Sequence, residues 1–304
     1  MIFKDKSWHI FKVLAKKKIK YPDLGHLNLS ESDLFNLDLG KRGGDFFLGY
    51  FSPEGLKIAL EKYGLFAEFR NHGFKDTICR IDTSDSFKHK ICFYTESESP
   101  DNILVELVLR KSFFKLNMPF ESRHNGKCFR CLTIDWMAMQ NPRGEFSPRR
   151  PRLPGQKYPG LGLSAVAVEL LMITCWRLGL GGLVNFPGHY HNAFLYSKIF
   201  YYLDPVAQAK FIALKETFKE IPLDKLSWGI DWGCVTDLEN GLPFSWMVGE
   251  QLVPLEDSLK DIFRGRKYNN FVENKKSESK FEFNEDKYQE IKKKTTIKSM
   301  EKII

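Results

Sequence analysis

The chain has 304 residues, 43% hydrophobic and 28% charged, enough for one large domain or two small ones with a full core. Its net charge of +8 sits at the ends: +6 over residues 1–20, +5 over 264–304 and −3 between them. A nearly neutral body lacks the basic groove of a nucleic-acid binder, so no specific nucleic-acid partner is expected, and no apolar run approaches the ~18 residues of a membrane span.

The N-terminus, MIFKDKSWHIFKVLAKKK, carries charge with no apolar stretch after it. That argues against a secretory signal and for a cytoplasmic protein. Trp8, Phe11 and Leu14 or Ala15 recur at helical spacing among lysines, which predicts a short basic amphipathic helix over 1–20. Such a helix either docks on the body or touches a membrane surface or partner protein. Residues 21–44 read as a polar connector, so 1–44 is taken as a basic segment ahead of a domain over 45–263.

Residues 45–51 (DFFLGYF) read as a strand. Ser52-Pro53 then supplies an N-cap and a first-turn proline for a helix running to Tyr63, which Gly64 ends. A second short helix spans 65–72. Strands follow at 77–82, 89–95, 103–110 and 128–139; the third is almost continuously apolar, as suits a strand buried on both faces. A loop rich in Pro, Gly and Arg runs from Asn141 to Gly162. Ser164–Leu178 is a helix apolar on nearly every side and expected to be deeply packed. A short strand at 183–186, helices at 188–203 and 205–219, and strands at 226–235 and 243–250 around the hairpin signal Glu239-Asn240-Gly241 complete the domain. Residues 264–304 are Lys-rich and poor in aliphatics, which predicts a largely disordered tail.

Cys128 and Cys131 form a lone C-x-x-C within a strand, where residues three apart face opposite sides. With no second pair, reduced structural thiols are expected rather than a metal site. His189 and His191 at i, i+2 do not share a helix face, so no metal is expected there either.

Two constellations carry chemistry. In RRPRLPGQKYPGLGLS, Gly155, Gly160 and Gly162 allow backbone amides to approach a phosphate. Arg149, Arg150 and Arg152 precede them with guanidinium groups that match phosphate oxygens, and a helix N-terminus follows. A solvated Pro/Gly connection is the plainer alternative. In HYHNAFLYSKIFYYL, His189, Asn192 and Tyr196 fall at i, i+3 and i+7 and predict a polar helix stripe facing either a cleft or water. Glu106 and Asp135 are carboxylates in apolar strands. Burial raises such groups toward neutrality, as a general base requires, unless arginines pair with them.

Loop, buried helix, short strand and later helix, in this order, resemble the GNAT superfamily of N-acetyltransferases. Lys157, Gly160 and Gly162 fit its Q/R-x-x-G-x-G/A spacing, with Gln156 one residue early. Leu195, Tyr196 and Lys198 match the L-Y-x-K of its later helix. His189 stands where that motif has Asn, Asn192 where it has Ala, and Phe200-Tyr201 replace Gly-Phe. The resemblance implies an α+β (α/β) fold, a GNAT-like central mixed twisted sheet flanked by helices on both faces. It implies acetyl-CoA or another acyl-CoA as co-substrate, with the amides of 157–162, including Leu161, on the pyrophosphate and Asn192 lining the site. Strand 128–139 would pair with the pantetheine arm. Tyr196 would protonate the leaving thiolate, and Glu106, Asp135 or His189 would deprotonate an unidentified amine acceptor. The alternative is a non-catalytic ligand sensor or scaffold on the same fold, attached by its basic ends.

Overall fold

The computed structural model of the protein describes residues 46–301. The expected basic helix over 1–20 and the connector over 21–44 lie outside the described residues. In place of a strand over 45–51 there is a tight turn: Phe47 bridges Phe51, and Leu48 and Gly49 adopt φ of 55° and 63°. Helix α1 (Pro53–Lys62) is capped by Ser52, whose side chain accepts from the Gly55 N–H, and α2 (Leu65–Asn71) follows a left-handed Gly64. Next come β1 (Thr77–Asp82), β2 (His89–Thr95), β3 (Ile103–Lys115), β4 (Cys128–Met139), α3 (Ser164–Arg177), β5 (Gly182–Asn185), α4 (Tyr190–Tyr196) and β6 (Tyr201–Tyr202). The chain continues through α5 (Pro205–Thr217), α6 (Leu223–Asp231), β7 (Val235–Asp237), β8 (Leu242–Pro243), β9 (Gln251–Pro254), α7 (Asp257–Phe263), α8 (Arg266–Glu278), β10 (Phe281–Phe283) and α9 (Glu285–Glu301).

The main sheet has the order β1-β2-β3-β4-β5-β9-β6, and a smaller one the order β10-β7-β8. The expected α+β class, a mixed sheet flanked by helices, is what the fold has. Contacts divide the chain into two compact units. Among the described residues, one holds 46–110 with Trp136–Gln140 and Leu161–Thr174; the other holds Lys111–Asp135, Asn141–Gly160 and 175–301. In the first, β1 pairs antiparallel with β2 from Thr77↔Thr95, and β2 with β3 from His89↔Leu109. Phe66 and Phe69 of α2 pack on Phe93 of β2. In the second, β4 and β5 run parallel from Cys131↔Gly182 to Ile134↔Asn185, and β9 pairs antiparallel with both β5 and β6. Cys128 is exposed and Cys131 buried, so the C-x-x-C residues face opposite sides of β4. Among the described residues no helix is long and apolar enough to cross a membrane.

Several elements differ from expectation. The helix expected over 188–203 is only α4; the following Ile199-Phe200-Tyr201-Tyr202 is rich in strand formers, and Tyr202 pairs with Gln251. The strand expected over 226–235 is mostly helix α6. Pro222 starts it, Leu226 and Ile230 bury one side at i, i+4, and the Ser227 hydroxyl donates back to Leu223 O. The hairpin at Glu239-Asn240-Gly241 forms, with Gly241 at φ 71°, but its strands β7 and β8 are short and residues 244–250 are irregular. Helix α3 buries Val168, Leu171 and Cys175, while Trp176 is exposed, so it is less enclosed than its composition implies.

The tail differs most. Residues 264–301 form α8, β10 and α9, anchored by a few widely spaced side chains. Tyr268, Val272, Phe281 and Tyr288 are buried, the Tyr268 hydroxyl donates to Tyr202 O at 2.7 Å, and Phe281 pairs across from Asp237. Mean composition hides such anchors. Because large-to-small changes in a core cost ~3–5 kcal/mol for an aromatic, Tyr268→Ala is expected to lower the denaturant midpoint substantially without changing the slope. An unchanged midpoint would mean that the tail does not pack.

Candidate functional site

The loop between β4 and α3 is tied to itself. Asn141 N donates to Pro159 O at 2.7 Å, and Ser147 and Arg150 exchange backbone bonds. Arg152 Nε donates to Gln156 O at 2.8 Å, and the Gln156 side-chain oxygen accepts from Leu153 N at 3.0 Å. Arg152 and Gln156, expected as phosphate contacts, are therefore occupied in holding the turn. Gly155 and Gly162 take φ of 74° and 82°, conformations that require glycine. Arg149, Arg150, Lys157 and Gly160 are exposed. The Leu161 side chain is buried in the core and its N–H lies 3.4 Å from Met139 O, so Leu161 anchors the loop.

His189 stands just before α4, in extended backbone at φ −137°, and its side chain makes no cap bond. It turns instead to Asp231, the last residue of α6: Nδ1 lies 3.2 Å from each carboxylate oxygen. Both side chains are about one-quarter to one-third exposed. A Cβ built on Gly155 would stand 2.9 Å from His189 Nε2, so the loop glycine covers that nitrogen at close range. Trp228, three residues before Asp231, donates its indole N–H to Arg152 O at 2.8 Å and fastens the loop to α6. Asp231 and Trp228 were not foreseen: they fall where a strand was expected, and 42 residues separate His189 from Asp231.

The His191 ring stacks on His189 at 5.4 Å and 13°. The i, i+2 argument against their adjacency fails because His189 lies outside the helix. His191 is buried with Nδ1 lacking a partner, and burial, aided by the His189 charge, lowers its pKa to about 4. The expected His189–Asn192–Tyr196 stripe is not a helix face: His189 precedes α4 and Tyr196 ends it, ~10 Å along the axis. Asn192 is half-buried. The Tyr196 ring meets Phe200 edge-on, and burial pushes its hydroxyl up to about 12.

Glu106 is held on both oxygens: Lys90 pairs with one, and Trp136 Nε1 donates to the other at 2.8 Å. The partner is a lysine rather than an arginine, and with both oxygens engaged Glu106 is committed to holding β2, β3 and β4 together. Asp135 is half-buried near the middle of β4.

The molecule is thus an α+β protein whose second unit carries a loop-covered His–Asp pair. No protein family and no curated protein matches the chain. Among solved structures, the crystal structure of AtaTR bound with AcCoA matches 52% of this chain and 80% of that chain at 18% identity, with a TM-score of 0.25. So loose a match carries no argument, and the fold rests on its own strand order.

His191 makes the site sensitive to acid. Its folded pKa lies below the ~6.5 of an ordinary histidine, so below that pH the unfolded chain binds more protons. The stability contributed above pH ~6.5 is lost as pH falls through about 4 and amounts to about 3 kcal/mol. Urea unfolding of the wild type and His191→Leu near neutrality and at mildly acidic pH is expected to show the flatter dependence in the variant. Parallel curves would refute this.

Proposed function

We propose that this protein binds an acyl-CoA and transfers its acyl group to an amine. The observation that carries the reading is the parallel pair β4–β5, joined through a glycine loop and α3, with β4 continuing past its last β5 partner at Ile134 to Met139. This order, followed by a helix and strands on the far edge, resembles the GNAT superfamily. The β4 backbone beyond Ile134 would pair with the pantetheine amides. The amides of 157–162 and the α3 N-terminus would meet the pyrophosphate, with Arg149, Arg150 and Lys157 adding positive charge.

Tyr196 would donate to the departing thiolate. A hydroxyl at about 12 stays protonated throughout the working range but is a weaker acid than a thiol near ~8.5, so it stabilises the sulfur more by hydrogen bonding than by full proton transfer. The same mismatch favours a second reading: a non-catalytic CoA binder on this fold.

Thermal unfolding in acetyl-CoA separates these readings. A ligand at about 100 times its Kd adds ~2.7 kcal/mol, so a clear rise in Tm is expected. Gly162→Val should abolish that rise, because a β-branched residue cannot hold φ near 82° without strain. Thiol release with added amines supports transfer, and Tyr196→Phe should then slow it by about 10², the low end for general-acid catalysis. Stabilisation without thiol release selects the binder; no stabilisation by any CoA ester refutes both.

A further inference from the structure

In the second unit, β3 and β4 lie side by side and show two unlike faces. Phe114 and Phe129 stack at 5.5 Å, and the Ser112 and Thr133 hydroxyls bond at 2.6 Å, so these four side chains share one face. Leu116 N donates to Lys127 O and Gly126 N to Leu116 O, which closes the end of the pair. Strand side chains alternate, so Lys111, Phe113 and Lys115 of β3 and Cys128 and Arg130 of β4 lie on the opposite face. All five are exposed, Phe113 at 73%.

No carboxylate answers the cations of this face. Among the described residues Lys111 and Lys115 form no ion pair, whereas Lys90, Lys210 and Lys225 each do. The Arg130 side chain donates to a backbone carbonyl, Gly179 O, at 3.5 Å. Glu256, beside Gly181, accepts from Ser258 Oγ at 2.6 Å and does not pair with Arg130. Along β3 an aromatic ring thus stands between two unpaired cations, each about 6.6 Å away along the strand, with a third cation on the neighbouring strand.

We infer that this face binds a single strand of nucleic acid. A base stacks on Phe113, and Lys111, Lys115 and Arg130 take the phosphates around it. The chain between its basic ends is nearly neutral, so the contact is short, about three phosphates. It carries no sequence preference, because stacking and phosphate contact read no base edge. A lipid surface fits less well. Within the described residues 111–135 Phe113 is the one large apolar side chain exposed, and a single ring inserts too little apolar area for stable anchoring. The inference stands apart from the acyl-transfer reading and survives its failure.

The test uses the full chain with fluorescein-labelled oligo-U, oligo-dT and a duplex of equal length, read by fluorescence anisotropy across a salt series. The two single strands are expected to bind alike and more tightly than the duplex, whose bases are already stacked. Phe113→Leu keeps an apolar side chain and removes the ring; it should weaken binding about tenfold at an unchanged salt slope. Lys111→Gln and Lys115→Gln should each make the slope of log K against log salt shallower by about 0.7, one phosphate contact on a single strand. The basic ends add a background that these differences do not contain. All three positions are exposed, so the variants should melt with the wild type; if Phe113→Leu does not fold, the lysine variants decide. Unchanged affinity in folded Phe113→Leu, an unchanged slope in both lysine variants, or a preference for the duplex overturns the inference. Failure of the wild type to bind either single strand overturns it too. Binding to phosphatidylserine vesicles that these variants abolish, with oligonucleotide binding unaltered, assigns the face to lipid and overturns it as well.

Discussion

The second unit depends on β5, a strand of four residues with none exposed. Both of its edges are bonded, parallel to β4 on one side and antiparallel to β9 on the other. No side chain fits at its first position: a Cβ on Gly182 would stand 2.5 Å from Leu252 Cδ1 and 2.9 Å from Val253 O. The neighbouring Gly181 N–H reaches Arg130 O, and the Gly181 carbonyl accepts from both Leu255 and Glu256. The Cys175 thiol, on the last turn of α3, points to Gly182 O. A strand so short holds its register because both of its edges are paired and all four of its residues are buried.

That commitment places the His189–Asp231 pair. β5 ends at Asn185, and four residues later His189 leaves the sheet in extended backbone, free to aim its ring away from α4. Trp246, whose indole N–H donates to Pro187 O, fixes the exit. Helix α6 approaches from the other side of the sequence and brings Asp231 to Nδ1 and Trp228 to the loop. Around it, Trp228 packs on Trp232, which packs on Tyr288 of α9, so the tail supports the helix that orients the imidazole. The tail that composition presents as dispensable is part of the frame of the site.

The first half of the fold was legible from residues alone. Strands β1, β2 and β4 have the expected bounds, and β3 the expected start, because alternation and continuous apolar runs are local signals. The Ser52-Pro53 start of α1 and the Gly241 turn are local too. The second half is written in longer-range terms. The segment 226–235 reads as a strand because Leu226, Trp228, Ile230 and Trp232 alternate; the helical state of α6 comes from burying Leu226 and Ile230. α8 and α9 hang on Tyr268, Val272, Phe281 and Tyr288, too sparse to register in composition. His189 was legible as a candidate from its place in the LYxK helix, but its partner was not. Among the expected phosphate contacts, Arg152 and Gln156 serve the loop's own hydrogen bonds, a competition that residue type does not reveal.

The central claim is that the loop leading into α3 receives a CoA pyrophosphate. Amide hydrogen exchange read by mass spectrometry, with and without saturating CoA, tests it most directly, since the ligand must take up N–H groups there. The account predicts slowed exchange in the peptide covering residues 157–162 and the first turn of α3. Unchanged exchange across that peptide, with CoA bound and protection confined elsewhere, would contradict it.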